Sequence, residues 1–373
     1  MDICKLGDIA KFTTGKLNSN AAQNNGRYPF FTCAPESLRI DEYAFDTEAI
    51  ILAGNNAEGN FHIQYFKGKF NAYQRTYVIE SLDENKVYTK YLYYALKTCL
   101  LHFKQISQGS ATKFLTTKIL NSFELPIPEI NIQKKVAGIL GNLDEKIEAN
   151  TAINENLEQQ AQAIFANMFD ESNTTQATIS DVSLNVTDGV HNTVHDDPEG
   201  EYLLLSCKNI KGGSLNIGTS ERRISRDTFE KLRRRTKLSK GDVLISSVGT
   251  IGELLLLNNE SLNYEFQRSV AMVKPNPAVV SSAYLYESLL SNRAKLINSA
   301  HGAVQQCLFI SDIAEFPIRI PQQDILSEFD TIVTPMLDIV TANENENIKL
   351  SQLRDTLLPK LMSGEIDVSD LEF

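Results

Sequence analysis

The stretch that decides the fold is KKVAGILGNLDEKIEANTAINENLEQQAQAIFANM, residues 134–168. Its apolar residues recur by alternating steps of four and three, at Val136, Leu140, Leu143 and Ile147, and then at Leu157, Ala161, Ile164 and Met168. A 3.5-residue period sustained over this length is typical of a coiled coil rather than of a helix inside a globular core. We therefore predict one long helix that packs against a second helix along this seam.

A second seam of the same kind begins 193 residues later, near the C-terminus. Its positions are Phe329, Val333, Met336, Val340, Asn343, Asn347, Leu350, Arg354, Leu357 and Leu361. Both seams carry two asparagines, and an asparagine in a seam lowers stability but fixes the register of the helices. The alternative is that these are solvated polar residues on frayed helices.

An antiparallel pair brings the asparagines of the two seams together. In that register Asn150 faces Asn347 and Asn154 faces Asn343. Arg354 is expected to lay its stem along the seam and send its guanidinium to water. Pro335 predicts that the second helix is kinked or begins at that point.

An internal repeat relates the regions that precede the two helices. Residues 74–76, Gln-Arg-Thr, fall on residues 267–269, Gln-Arg-Ser, at the same offset of 193. Ile127-Pro128 falls on Ile320-Pro321 in the same way. Nearer the start of each half the offset is about 173, so the second half carries an extra segment before Asp242. Short apolar runs broken by Gly and Asn turns predict strands, and the longer runs 89–103 and 281–299 predict helices.

The predicted fold class is α+β. Two similar globular domains of mixed short strands and helices are separated by two long antiparallel coiled-coil helices, with pseudo-two-fold symmetry. The expected boundaries are 1–129 for the first domain, 130–171 for the central helix, 172–321 for the second domain and 322–373 for the distal helix and tail.

Composition limits the possible compartments and partners. The five cysteines lie far apart without a C-x-x-C pair, which disfavours a disulfide framework or a zinc site and favours reduced thiols in the cytoplasm. The start of the chain lacks the pattern of a secretory signal, and no apolar run is long enough for a membrane span. The net charge of −11 is concentrated in the two helical segments, so the globular halves are close to neutral and compatible with DNA binding.

Motifs for catalysis are missing. Neither a phosphate-binding loop nor the Asn/Asp-Pro-Pro-aromatic segment of an adenine methyltransferase occurs. Glu84-Asn-Lys86 ends like a nuclease site but lacks an upstream metal-binding aspartate. Asp188, His191, His195, Asp196 and Asp197 are metal-ligand types close in sequence, yet they lie in a loop, so no metal is expected.

The candidate binding residues are polar side chains on loops that recur in both halves. Glutamine pairs with adenine and arginine with guanine in the major groove of DNA. The alternative for the repeated Gln-Arg is a structural network that both halves share. A basic run at 231–240 favours phosphate contact over a solvated helix face. The predicted DNA-contacting residues are Gln74, Arg75, Lys113, Asn192, Arg233, Arg234, Arg235, Gln267, Arg268, Gln305 and Gln306.

Several stretches resemble the specificity subunits of type I restriction-modification systems. DEKIEANTAINENLEQQAQAIFANMF (144–169) resembles their central helix, and LRDTLLPKLMSGEIDV (353–368) resembles their distal conserved region. Residues 188–193, 202–213 and 42–79 resemble parts of their target-recognition domains. The first half departs from this pattern because it lacks the Asp-Gly-x-His opening.

The resemblance implies a non-catalytic subunit that recognises a bipartite target in double-stranded DNA, two half-sites with an unread spacer. It implies two methyltransferase subunits and two translocase–nuclease subunits as partners, which carry out the adenine methylation and the cleavage that this chain directs. No cofactor is expected on this chain, because S-adenosylmethionine, ATP and Mg belong to the partners. The alternatives are a coiled-coil scaffold with protein-binding domains, a degenerate nuclease, and the specificity subunit of a type II-like enzyme.

Overall fold

Two long helices organise the chain, one after each globular half. The computed structural model describes residues 2–218, 220–260, 262–302 and 306–371. The chain divides into a first unit, residues 1–147 with 348–373, and a second unit, residues 148–347. Each unit therefore holds one globular half together with a portion of both long helices.

The first unit contains ten strands and four short helices, and the first long helix starts in it. In chain order these elements are β1 (Asp2–Lys5), α1 (Leu6–Ile9), β2 (Ala10–Thr14), β3 (Tyr28–Phe31), β4 (Leu38–Ile40), β5 (Phe45–Ala53), β6 (Asn55–Asn56), β7 (Ile63–Ala72), β8 (Thr76–Ser81), α2 (Thr89–Thr98), α3 (Leu100–Ile106), β9 (Lys113–Phe114), α4 (Thr117–Ser122), β10 (Glu124–Ile127) and α5 (Ile130–Met168).

A six-stranded sheet of order β2-β8-β5-β7-β3-β4 forms the centre of the first unit. The end of β5, residues 49–53, is an uninterrupted apolar run and is buried throughout. Helix α2 covers the sheet through buried Tyr91, Leu92 and Leu96, which belong to the same apolar core as Val136 and Leu140 of α5. The proline segment before α5 forms β10, which pairs with β1. The core therefore joins the globular half to the start of the long helix.

The second unit repeats this plan with an insertion. Its elements, followed by the last helix of the chain, are β11 (Thr174–Thr178), β12 (Ser183–Asp188), β13 (Tyr202–Leu205), β14 (Ile210–Lys211), β15 (Ser214–Leu215), β16 (Arg222–Ile224), α6 (Arg226–Thr236), β17 (Val243–Ser246), β18 (Leu254–Leu256), β19 (Tyr264–Phe266), β20 (Val270–Pro275), α7 (Ser282–Ser291), α8 (Arg293–Asn298), α9 (Ile310–Ala314), β21 (Pro317–Pro321) and α10 (Gln323–Ser363).

The strands of the second unit form smaller sheets. Their orders are β12-β20-β17-β18 and β16-β13-β19, with β11 paired to β21 as β1 is paired to β10. The extra segment foreseen before Asp242 contains the β14–β15 pair, β16 and α6. The repeated glutamine and arginine precede β8 in one unit and β20 in the other, one position apart: the turn residues are Gln74 and Arg75 in the first unit, and Arg268 and Ser269 in the second. The predicted strands and helices of the two halves are thus present.

The two long helices run antiparallel where they meet within each unit. In the second unit Asn150 Nδ2 donates to Asn347 Oδ1 at 2.9 Å, and Asn343 Nδ2 donates to Asn154 Oδ1 at 2.8 Å. Asn150 and Asn154 are only 1% and 8% exposed, so these amides are buried and paired rather than solvated. Asparagine therefore faces asparagine at both positions of the seam.

One detail of the distal helix differs from the sequence-based expectation, and one of the two alternatives for Pro335 is excluded, so that a kink there stays a prediction. In the first unit the guanidinium of Arg354 does not extend into water, because it binds Asp144 at 2.7 Å and Asp355 at 2.8 Å. The same Asp144 accepts a hydrogen bond from the hydroxyl of Tyr94 in α2. Helix α10 begins at Gln323 and continues through Pro335, so the helix does not begin at that proline. None of the helices in the described part of the chain has the length and apolar character that a lipid bilayer requires.

Candidate nucleic-acid interface

The Gln–Arg turn of the first unit, residues 73–76, is held by its backbone. The Tyr73 N–H donates to the Phe31 carbonyl at 2.8 Å, and the Gln74 N–H donates to the Leu17 carbonyl at 2.9 Å. These bonds fix the main chain and leave the side chains of Gln74 and Arg75 exposed. The Gln74 amide donates to Asn18 Oδ1 at 2.7 Å, so an asparagine that the sequence did not single out lies beside it.

A glycine loop, residues 107–114, lies beside this turn. The Arg75 guanidinium sits over the ring of Phe114, 5.6 Å from its centre, and Phe114 follows Lys113 in β9. Gly109 has a φ of +108°, and a Cβ there would lie 2.0 Å from the Thr112 carbonyl oxygen, so only glycine fits. The structure thus brings Arg75 into contact with Phe114, the residue that follows Lys113.

The second unit builds the corresponding turn from the same backbone contacts, but one residue out of register with the repeat: Gln267 takes the place of Tyr73, and Arg268 that of Gln74. The Gln267 N–H donates to the Leu205 carbonyl at 2.8 Å, and the Arg268 N–H donates to the Val190 carbonyl at 3.0 Å. Gln267 is half-buried and Arg268 is exposed. Arg268 acts on Cys307: burial and the charge of Asp312 raise the pKa of that thiol, and the arginine opposes the shift. Gln306, which precedes Cys307 in the chain, is exposed, whereas Gln305 lies outside the described residues.

Asn192 belongs to a loop, residues 188–192, that is attached to this second turn. Val190 forms an isolated β-bridge with Gln267. A Cβ on Gly189 would lie 2.0 Å from the Phe266 carbonyl oxygen. The loop therefore lies so close to the turn that only glycine fits at this position. Asn192 is exposed at the end of this loop. The structure therefore places Asn192, Gln267 and Arg268 in one neighbourhood.

The three consecutive arginines of α6 have different surroundings. Arg233 makes an ion pair with Glu265, which is fully buried, and donates to the carbonyls of Leu262 and Tyr264 at 3.1 and 2.9 Å. Burial raises the pKa of Glu265, and Arg233 opposes that shift. These contacts favour a structural role for Arg233. Arg234 is exposed, and its Nε donates to the Glu230 carbonyl of its own helix.

Arg235 faces the loop that carries Asn192. Its guanidinium donates to the Asp188 carboxylate at 3.1 Å and to the Gly189 carbonyl at 2.6 Å. No sequence pattern predicted this contact, because Arg235 and Asp188 are 47 residues apart. Arg233 and Arg235 are therefore paired with carboxylates of this chain, and phosphate contact by the three arginines stays a prediction.

The residues considered for metal chemistry have other partners. His191 Nε2 lies 2.6 Å from Asp188 Oδ2, while Asp196 Oδ1 accepts the backbone N–H of Arg223 at 2.9 Å. Glu84 accepts the backbone N–H of Thr89 at 3.1 Å, at the start of α2. Across the described ranges, no three His, Cys, Asp or Glu side chains come close enough together to hold a metal ion.

Comparison with known proteins gives the family. The profile of the "Type I restriction modification DNA specificity domain" matches residues 1–159 and again residues 192–350. The chain belongs to this DNA specificity family. It is a specificity subunit rather than a catalytic one, and the two-domain α+β fold predicted from its sequence is confirmed.

Named relatives agree with this assignment. The "Type I restriction enzyme MjaIX specificity subunit" of Methanocaldococcus jannaschii is 30% identical over 325 residues, 78% of this chain and 72% of that protein. The "Type I restriction enzyme EcoDI specificity subunit" of Escherichia coli is 39% identical over 155 residues, but this match spans 42% of the chain and only 34% of that relative. The crystal structure of a type I restriction-modification S subunit from M. genitalium has the same fold, with a TM-score of 0.65 and 16% identity over 96% of this chain and 95% of that one.

Proposed function

We propose that this chain recognises a bipartite target in double-stranded DNA, with residues 1–129 contacting one half-site and residues 172–321 the other. Residues 130–171 and 322–373 form the connecting helices. The observation that carries the proposal is that both units present an exposed arginine, preceded by a glutamine, on the corresponding turn beside a glycine loop, which carries half-buried Lys113 in one unit and exposed Gln306 in the other. Glutamine and arginine are the side chains that pair bidentately with adenine and guanine in the major groove.

The proposed contact surface of the first half comprises Gln74, Arg75 and Lys113. In the second half it comprises Asn192, Gln267, Arg268, Gln305 and Gln306, with Arg234 directed to a phosphate. Arg233 and Arg235 have a structural role in this proposal, because each makes an ion pair with a carboxylate of the chain itself.

The catalytic steps are assigned to partner subunits in the cytoplasm. Two methyltransferase subunits bring S-adenosylmethionine for adenine methylation, and two translocase–nuclease subunits bring ATP and Mg for cleavage. The assignment rests on family membership and on the missing cofactor motifs of this sequence. The isolated chain is expected to bind duplex DNA without methylating or cleaving it.

The test is sequencing of methylated adenines in a host that carries this chain and its cognate methyltransferase. We expect a motif of two specified parts separated by a constant gap without base preference. In parallel, affinity for a duplex containing that motif should fall steeply with salt. Failure to bind any duplex, with retention of protein partners through the globular halves, would favour a protein-binding scaffold. Methyl transfer by the isolated chain would contradict its role as a specificity subunit.

A further inference from the structure

A clamp of three side chains fixes the loop 188–192 of the second unit. Arg235, in the last turn of α6, donates to the Asp188 carboxylate and to the Gly189 carbonyl. Asp188 is mostly buried, with 16% of its side chain exposed. Because the guanidinium is planar and presents several donors, it holds both the side chain and the main chain of the loop in one position. Asp188 is therefore a fixed acceptor rather than a mobile surface carboxylate.

His191 is held by the other oxygen of that carboxylate. Its Nε2 lies 2.6 Å from Asp188 Oδ2, and an ionised carboxylate only accepts hydrogen bonds, so Nε2 carries the proton. This contact fixes the tautomer and leaves Nδ1 as the remaining polar atom of the ring. The side chain is 56% exposed, so the oriented ring reaches solvent.

The position of His191 ties it to the proposed contact surface. Val190, its neighbour in the chain, forms the bridge to Gln267 and accepts the backbone N–H of Arg268. His191 therefore directly follows a residue whose backbone is bound to Gln267 and Arg268. A role limited to satisfying Asp188 would not require an exposed ring, since Arg235 already neutralises that carboxylate.

We propose that His191 is a specificity-determining residue of the second half and contacts a base edge through Nδ1. This inference rests on the proposed function. With the proton on Nε2, the neutral ring offers Nδ1 as an acceptor, and its match in the major groove is an exocyclic amino group, N6 of adenine or N4 of cytosine. Asp188 and Arg235 are positioning residues that act through His191.

The experiment is selection of bound duplexes by the full chain from a pool in which the second half-site is randomised. The wild-type chain is compared with His191→Ala, with Asp188→Asn, and with Arg235→Met, which removes the clamp. In all three variants the preference for one base pair over the others should fall by about 5- to 10-fold, at the same single position of the half-site. This is the effect expected for the loss of about one hydrogen bond. The base pair preferred there by the wild type identifies the amino group, N6 of adenine for A·T and N4 of cytosine for G·C.

Two controls separate this inference from a general defect. His195→Ala removes another exposed loop histidine four residues away and should leave every preference unchanged. The first half-site preference should remain intact in all variants, and a normal thermal unfolding transition excludes misfolding. His191→Asn, which restores a polar group near the position of Nδ1, should recover part of the discrimination.

The outcomes are distinguishable. If the wild type selects a second half-site and His191→Ala selects it equally well, His191 does not contact a base, while the proposed function stands. If replacing the adenine of that base pair by purine, or its cytosine by 2-pyrimidinone, which removes only the exocyclic amino group, weakens binding of the wild type and of His191→Ala equally, Nδ1 does not accept from an amino group and the proposal is overturned. If the wild type selects no sequence at all, the proposed function itself fails.

Discussion

Two adjacent arginines of α6 have different environments. Arg233 lies against the apolar interior and pairs with Glu265, whereas Arg234, the next residue, is exposed. Since successive residues of a helix point about 100° apart, a basic run cannot direct all of its charges to one face. Sequence composition identified the run, but only the helix phase separates its structural members from those available for phosphate.

This difference predicts opposite effects of two alanine substitutions. Arg233→Ala leaves Glu265 buried without its partner, and we expect a loss of about 3 kcal/mol in the free energy of unfolding. Arg234→Ala should leave stability unchanged and lower the salt dependence of DNA binding by about 0.9 in the log–log slope. Urea unfolding and salt titrations of duplex binding measure the two quantities. An equal loss of stability in both variants would contradict the assignment.

Glu287 is the buried carboxyl with the most perturbed environment in the second unit. It is 1% exposed, and its Oε2 has no hydrogen-bond partner among the described residues. Burial, with the nearby charge of Glu158, raises the pKa of Glu287 to about 8. The group is therefore protonated in the folded chain at neutral pH, whereas in the unfolded chain it ionises at the ordinary value near 4.3.

The sign of the resulting pH dependence follows from proton release on unfolding. Between about pH 4.5 and pH 8 the unfolded state holds fewer protons, so this group's contribution to stability falls as the pH rises. Glu287→Gln, which stays neutral, should unfold with about 1–3 kcal/mol more free energy than the wild type at pH 8.5 and nearly the same at pH 5. Urea unfolding at both pH values tests this, with the exposed Glu328→Gln as the control. Parallel pH profiles for wild type and Glu287→Gln would show that Glu287 is already ionised.

At the scale of the elements, the seam of the long helices contains polar layers. Asn150 donates to both Glu346 and Asn347, and Asn154 donates to the Val340 carbonyl, so each buried amide has partners. A shift by one heptad would set these amides against Leu or Val and cost about 1–3 kcal/mol for each unsatisfied group. We therefore interpret the asparagines as the residues that fix the register.

Cysteine cross-linking tests that register. In a background without the five native cysteines, cysteines at positions 150 and 347 should form a disulfide readily under mild oxidation. Pairs of 150 with 340 and of 150 with 354 are the controls, because they sample the neighbouring heptads. Efficient cross-linking of either control pair at the expense of 150 with 347 would show that the helices adopt another register.

The sequence predicted these elements well where the pattern was local or repeated. The heptads of residues 136–168, the repeat that relates the two halves and the helical runs at 89–103 and 281–299 were predicted. Contacts between residues that only the tertiary structure brings together were not predicted from the sequence. The Arg354–Asp144–Tyr94 network and the Arg235–Asp188 contact join residues far apart in sequence, and neither leaves a periodic signature. A proline inside a long helix, as at Pro335, likewise did not mark the start of that helix.

At the scale of the whole molecule, the chain contains the same kind of turn twice, once in each globular half. The two turns share a backbone arrangement but differ in their neighbours, Lys113 with Phe114 in one and Gln306 with Cys307 in the other. A shared scaffold with different side chains suits a protein whose two halves recognise different sequences. It also implies that each half contributes to binding through its own contacts, because the two turns belong to separate units.

Independent halves predict additive energetics. Arg75→Ala should weaken preference within one part of the motif alone, and Arg268→Ala within the other, each by about 1–3 kcal/mol. The double variant should lose the sum of the two to within about 0.5 kcal/mol, as expected for distant sites without common partners. Titration of duplexes mutated in one part or the other measures these terms, and Lys349→Ala, which removes an exposed cation from α10, controls for a general loss of charge. Relaxation of both parts by Arg75→Ala alone would mean that the turns are coupled, and the assignment of one half-site to each unit would then be wrong.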